Sequence, residues 1–262
     1  MIEPRNPCDR YTTAMIPIGS HPVWHPVMET LAYASGFAVF QWLRGRHGDV
    51  VAEPQRWTVL AAATVGALMG SRLLGIAEQW PTVIEAWRSG RILELLLSPG
   101  GKTIAGGLLG GWLGVGVVKK LSGLQQRTGD LLVLPLCVGI AVGRVGCLLA
   151  GLADDTYGKP TTLPWAVNLG DGIGRHPVQV YEIFFLTLVG IAISRTPKLR
   201  DGARFRIFMG SYLGWRLVID FWKPQPLIGG LNMIQWSCLA GITFLIMEEI
   251  SARKGRNEIL RA

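Results

Sequence analysis

Three arginines stand inside stretches that otherwise read as membrane helices: Arg72 in ATVGALMGSRLLGIA, Arg144 in CVGIAVGRVGCLLAG and Arg216 in MGSYLGWRLVIDFW. A guanidinium keeps its charge at any physiological pH. Near the middle of a bilayer it costs several kcal/mol unless it is paired or wetted. A chain that keeps three of them there points to an anionic group held inside a helix bundle. For any one site, a structural ion pair or an arginine snorkelling to the headgroups is the other reading.

Tyr212, Arg216 and Asp220 follow one another at four-residue spacing and so form one polar stripe on an apolar helix. Arg216 could simply pair with Asp220 one turn on. A phenol on one side and a carboxylate on the other also make an anion cradle, because a guanidinium grips phosphate with two parallel hydrogen bonds. Arg144 lies in GRVG, where Gly143 and Gly146 allow backbone or ligand to come close. RHPVQVYE, residues 175–182, gathers Arg175, His176, Gln179, Tyr181 and Glu182 at the mouth of a helix. His176 is a candidate base there, with a structural hydrogen-bonding role as its alternative. His21, His25 and His47 make no metal spacing with it, and there is no HExxH and no Cys/His cluster. No phosphate-binding Walker loop and no GxSxG elbow occurs. The expectation is metal-free chemistry, without a cofactor, carried by Arg, Tyr, Asp/Glu or His.

The elements that must position these residues are membrane helices. Hydrophobic residues make up 49% of the 262 and charged residues only 17%, and the mean hydropathy is +0.33. Spans are expected near 28–43, 57–77, 103–118, 131–150, 179–194, 206–222 and 232–247. The fold class is therefore an all-α integral membrane protein with seven transmembrane helices, a single membrane-embedded domain over 1–262. Lysine and arginine concentrate after spans 1, 3 and 5 and in the C-terminal tail, which places the N-terminus outside and the C-terminus in the cytoplasm. The net charge of +8 is then a topology signal and an attraction to anionic lipid, and no nucleic-acid partner is implied. Cys137, Cys147 and Cys238 fall inside spans and Cys8 alone lies outside them, so no disulfide framework exists.

Residues 78–101 place Trp80, Ile84, Trp87, Ile92, Leu95 and Leu96 among charges, which predicts an amphipathic helix at the interface. Residues 151–178 are polar and rich in turn residues, and predict a small outward-facing head between spans 4 and 5. Span 3 carries overlapping small-xxx-small pairs, Gly106/Gly110 and Gly107/Gly111. These admit either a neighbouring helix backbone or an acyl chain.

These motifs, in order, resemble the bacterial prolipoprotein diacylglyceryl transferases over essentially the whole chain. The resemblance runs through GALMGSRLLG (66–75), GGKTIAGGLLGG (100–111), GRVG (143–146), YGKPTTLPWAV (157–167), RHPVQVYE (175–182) and YLGWRLVIDFWKP (212–224). It implies an enzyme of the bacterial cytoplasmic membrane with a periplasmic head over 151–178. The enzyme would move the diacylglyceryl group of phosphatidylglycerol onto the lipobox cysteine thiol of a preprolipoprotein, releasing glycerol 1-phosphate. By the same resemblance Arg144 and Arg216 would hold the phosphate, with Tyr212 and Asp220 orienting Arg216. Arg72, Gly106, Gly107, Gly143 and Gly146 would line the lipid, and His176, Gln179, Tyr181 and Glu182 would support the head and mouth.

The chain departs from the family pattern where Ala105 replaces a His or Tyr, where Cys147 and Ala150 replace two asparagines, and where Leu152 replaces a glutamate. Three extra residues follow, so Asp155 is the candidate for that missing carboxylate, displaced by about one turn. His176 or Asp155 could then act as the base. A paralogue that binds anionic phospholipid or lipoprotein without transfer, or that serves another acceptor, is the alternative function.

Overall fold

The computed structural model describes residues 16–18, 21–48, 51, 53–97, 101–196 and 199–259. Cys8 and Gly100 lie outside the described residues, as does the side chain of Leu96. All seven stretches expected to span are helical. They are α1 (Trp24–His47), α2 (Glu53–Glu78), α5 (Ile104–Leu121), α6 (Val133–Ala150), α7 (Val178–Arg195), α8 (Ala203–Ile219) and α9 (Met233–Ile259), with α3 (Trp80–Arg88) and α4 (Ile92–Leu97) between α2 and α5. Five helical segments are long and apolar enough to cross a membrane: 53–78, 104–121, 130–154, 178–195 and 233–251. Large apolar side chains such as Leu68, Met69 and Leu73 on α2 stay exposed, as a lipid-facing surface requires. α8 is shorter, at 17 residues, and carries Arg204, Arg206 and Arg216.

The described residues fall into two compact units. One contains α1, α6, α7 and the polar segment after α6. There α1 lies on α6 because small residues let the backbones meet. A Cβ on Gly36 would stand 3.1 Å from the Pro135 carbonyl oxygen, one on Gly139 3.1 Å from that of Ala32, and one on Gly146 2.6 Å from Met28 Cβ. The polar segment is folded by short strands β1 (Ile16–Pro17), β2 (Val167–Asn168) and β3 (Gly174–Arg175), in sheet order β1-β2-β3 with β1 parallel and β3 antiparallel to β2. Asn168 closes the β2–β3 turn by accepting from the Gly170 and Gly172 N–H groups at 2.9 and 3.0 Å.

The second unit contains α2 to α5, α8 and α9. α2 and α5 run in backbone contact along their glycines: a Cβ on Gly70 would stand 2.8 Å from Gly110 Cα, and one on Gly114 3.3 Å from Gly66 Cα. Thr103 caps α5, its hydroxyl accepting from the Gly106 N–H at 3.2 Å, and its own N–H donates to Ser71 Oγ at 3.0 Å. The amphipathic stretch after α2 is two short helices, α3 and α4, in place of the single one expected. Gly90 at φ +70° ends α3, a left-handed conformation that stops helix propagation.

Candidate functional site

In the second unit the polar stripe of α8 is built into a buried network. Arg216 Nη2 lies 2.8 Å from Asp220 Oδ1 and donates to Asp220 Oδ2 at 3.0 Å. Asp220 Oδ2 also accepts from Asn232 Nδ2 at 3.5 Å. Asn232 and Gln235 cap α9 reciprocally: Gln235 Oε1 accepts from the Asn232 N–H at 3.0 Å, and Asn232 Oδ1 from the Gln235 N–H at 2.7 Å. Gln235 Nε2 reaches back to the Leu217 carbonyl at 2.8 Å, and Glu78 Oε2 accepts from the Ile234 N–H at 3.1 Å. Arg216 and Asp220 are 3% exposed, and Asn232 and Gln235 are completely buried. A charge desolvated this far persists only with its partners in place, so the guanidinium is aimed by a fixed scaffold. Tyr212 is also fully buried, and its ring stacks on Phe208 at 6.1 Å between centroids.

Sequence reasoning found Tyr212, Arg216 and Asp220 but missed Glu78, Asn232 and Gln235. Asn-x-x-Gln ahead of the apolar run of α9 is a capping-box pattern that was legible in the chain. Nothing in the sequence marks Glu78 as the acceptor for that helix end.

Arg72 is half-buried, and its guanidinium donates to the Leu95 carbonyl in the last turn of α4 at 3.0 Å. Cations cap helix C-termini in this way, so Arg72 makes a scaffold contact. The space beside Gly106 and Gly107 goes to α2: a Cβ on Gly106 would stand 2.8 Å from Leu74 Cβ, and one on Gly107 3.7 Å from the Ala67 oxygen. Gly143 and Gly146 face α1 in the same manner, with Ala32 and Met28 as neighbours. Helix packing is thus what these four glycines do in the structure. Gly106 is the one of the four whose missing Cβ leaves room that neighbouring backbone occupies.

In the first unit Arg144 Nε lies 2.8 Å from Glu182 Oε2, a pair joining α6 to α7 with side chains only 5% and 1% exposed. Arg144 Nη1 also donates to Cys147 Sγ at 3.7 Å. Gln179, one turn before Glu182, is 2% exposed. Tyr181 links the head to α7, its hydroxyl accepting from Trp165 Nε1 at 2.7 Å and lying 3.4 Å from His176 Nδ1. Arg175 belongs to the polar segment after α6: its Nη2 is 2.5 Å from Asp171 Oδ2, and its guanidinium lies over the Tyr157 ring. Lys159 ties the same segment to the chain after α8, Nζ donating to the Phe221 carbonyl at 2.9 Å and the backbone N–H to that of Trp222 at 2.7 Å.

Burial pushes the His176 imidazole below its usual range, so the ring is neutral at pH 7. The folded state then binds that proton less readily than the unfolded chain. His176 costs no stability above the unfolded value of about 6.5, and stability falls as the pH drops from there through the lowered folded value. His176→Gln is expected to lose less melting temperature than the parent between pH 7 and pH 5, measured as a difference in one detergent. Parallel acid limbs would show that His176 is not so perturbed.

Asp155, the carboxylate chosen from the sequence, is exposed and holds the only positive φ of a non-glycine among the described residues, +50°. Its neighbour Asp154 is the one turned inward. Asp154 Oδ1 lies 2.8 Å from His25 Nδ1, and its Oδ2 accepts from the Thr156 hydroxyl. Ligand atoms of His25, Cys147 and Asp154 all lie within 4.8 Å of one another. No sequence spacing announces this grouping. His25 is more than a hundred residues from the other two, and only the seating of α1 on α6 brings them together. The His21 N–H donating to the Leu149 carbonyl at 2.9 Å pins that juncture.

The fold and the site define an all-helical membrane protein that buries an arginine–carboxylate pair in each of two units. More particularly, this chain belongs to the prolipoprotein diacylglyceryl transferase family, whose model matches residues 14–248. Relatives carrying the name phosphatidylglycerol–prolipoprotein diacylglyceryl transferase include those of Methylobacillus flagellatus, 30% identical over 91% of this chain and 97% of that one. Those of Dehalococcoides mccartyi (31%, 78% and 79%) and Geobacter sulfurreducens (26%, 79% and 80%) are similar to it as well.

Proposed function

We propose that this protein transfers the diacylglyceryl group of phosphatidylglycerol to the lipobox cysteine thiol of preprolipoproteins, in lipoprotein biosynthesis. The observation that carries the reading is the family match over residues 14–248, which includes both buried arginine–carboxylate pairs. The reaction breaks a glyceryl C–O bond and leaves negative charge on the departing glycerol phosphate. Fixed guanidiniums in a dry site stabilise such charge as it develops. Arg144 and Arg216 are the phosphate-binding cations in this reading, with Glu182 and the Asp220–Asn232–Gln235 network holding their orientation. Tyr212 lies one turn before Arg216 on the same face of α8, and Gln179, Tyr181 and His176 shape the mouth of α7.

The chain is embedded in a bacterial cytoplasmic membrane through seven spans, α1 and α8 completing the five apolar segments. The excess of Lys and Arg after spans 1, 3 and 5 and in the tail supports a periplasmic N-terminus, a periplasmic head at 151–178 and a cytoplasmic C-terminus. A second reading, a lipid-binding paralogue without transfer, is favoured by Ala105, which is 1% exposed at the start of α5 where the family pattern carries an imidazole or phenol. One assay separates the two. Purified protein in phosphatidylglycerol micelles is given a lipobox peptide and followed by mass spectrometry. A diacylglyceryl mass gain is expected. Its absence beside an active family enzyme, with lipid still bound, would establish the second reading.

A further inference from the structure

His25, Cys147 and Asp154 are the chemistry-bearing cluster that the phosphate-cradle reading leaves unused. Three observations say what it could hold. The residue types offer one nitrogen, one sulfur and one oxygen, the mixed set that suits a borderline-soft ion such as zinc. Their ligand atoms converge within 4.8 Å. Tetrahedral zinc would set such atoms about 3.2–3.7 Å apart, so the widest separation would close by roughly an ångström while the 2.8 Å His25–Asp154 pair opened. Finally, His25 Nδ1 is buried and makes no hydrogen bond of acceptable geometry among the described residues, although Asp154 Oδ1 is only 2.8 Å away. At 2.8 Å these two atoms stand at ion-pair distance, and a cation bound between them would part them by about half an ångström.

Charge is compatible as well. The nearest cation, Arg144, pairs with Glu182 at 2.8 Å and also donates to Cys147 Sγ at 3.7 Å, and a thiolate with a carboxylate would balance a divalent ion. Cys147 and Asp154 also belong to the stretch where this chain departs from its family's pattern, through a replaced asparagine and three added residues.

We propose that His25, Cys147 and Asp154 form a zinc site with three protein ligands, and that its fourth position takes the acceptor thiol. The second clause rests on the transferase reading, whereas the first does not. A thiol that coordinates zinc is deprotonated outright. Its S–H proton passes to water as the S–Zn bond forms. The bound sulfur then attacks the glyceryl carbon, the C–O bond breaks toward the phosphate, and glycerol 1-phosphate leaves with the electron pair. The site supplies thiol activation without the imidazole that Ala105 replaces. The half-exposed side chain of His25 (42%) marks the approach.

Cobalt reports on this directly, since Co²⁺ substitutes for zinc and colours when bound by thiolate. Metal-stripped full-length protein in detergent is expected to take up one equivalent of Co²⁺ with a thiolate charge-transfer band. Cys147→Ser should abolish the band and His25→Gln should weaken binding at least tenfold, while Cys238→Ser, in the other unit, keeps both. A lipobox peptide should then intensify the band, and its serine counterpart should not. No stoichiometric uptake, or a band that survives Cys147→Ser, would overturn the site. A band unmoved by the thiol peptide would overturn its role toward the acceptor. Cobalt binding that depends on Cys147 in a protein giving no mass gain would instead sink the transferase reading and leave the metal site standing.

Discussion

Arg216→Lys is expected to reduce diacylglyceryl transfer at least 100-fold, close to the loss in Arg216→Ala, while the protein stays inserted and folded. The lysine variant is the more informative of the two. It keeps a positive charge four residues from Asp220 but replaces a planar fork with a point charge. Asp220 would still have Asn232 Nδ2 as a donor, so the scaffold around α9 should survive. What disappears is the second N–H direction that a phosphate needs once Asp220 has taken the first. Loss of one preorganised donor at developing charge costs about 10²–10³ in rate. Transfer is read by mass spectrometry and folding by thermal unfolding in the same detergent. A lysine variant with more than a tenth of parental activity would mean that Arg216 is a structural partner of Asp220 and nothing more.

The second large effect concerns the other unit. Arg144→Met leaves the Glu182 carboxylate, 1% exposed, without its cation, and breaking a buried pair on one side costs about 3–5 kcal/mol. Adding Glu182→Gln removes the orphaned charge and should return most of the lost stability, giving a coupling that a double-mutant cycle measures. Transfer should remain absent in the double variant, because the phosphate still lacks its cation. Recovery of transfer together with stability would assign Arg144 to scaffolding alone. A double variant no more stable than Arg144→Met would mean that the pair does not hold α6 to α7.

Much of this was legible along the chain. The seven helical stretches follow from runs of apolar residues, and all seven formed close to the expected places. The Tyr212–Arg216–Asp220 stripe could be read because a helix brings every fourth residue back to one face, and the Arg216–Asp220 pair is realised. The polar segment after α6 could be expected from its turn residues, and its strands β2 and β3 pair with β1 in a small sheet. The glycines of α5 left two readings open, and the backbone of α2 decided for packing. Arg72 shows that an arginine in an apolar stretch announces a partner without naming it. One of its partners is a main-chain carbonyl on α4, and carbonyls have no sequence signature.

The sequence by itself determined the class, the helices and the charges set in apolar stretches, because hydropathy and helical periodicity act over a few turns. It also determined the family, through motifs that stay in order along the chain. Tertiary structure alone decided which carboxylate answers which cation: Glu182 for Arg144, Asp220 for Arg216, and Asp154 rather than Asp155 beside His25. It also decided that a histidine from the first turn of α1 meets a cysteine near the end of α6. The physical reason is common to all of these. A desolvated charge or ligand atom must find its partner within a few ångströms, and nearness between distant segments is set by where small residues allow helix backbones to touch, as Gly36, Gly139 and Gly146 do between α1 and α6.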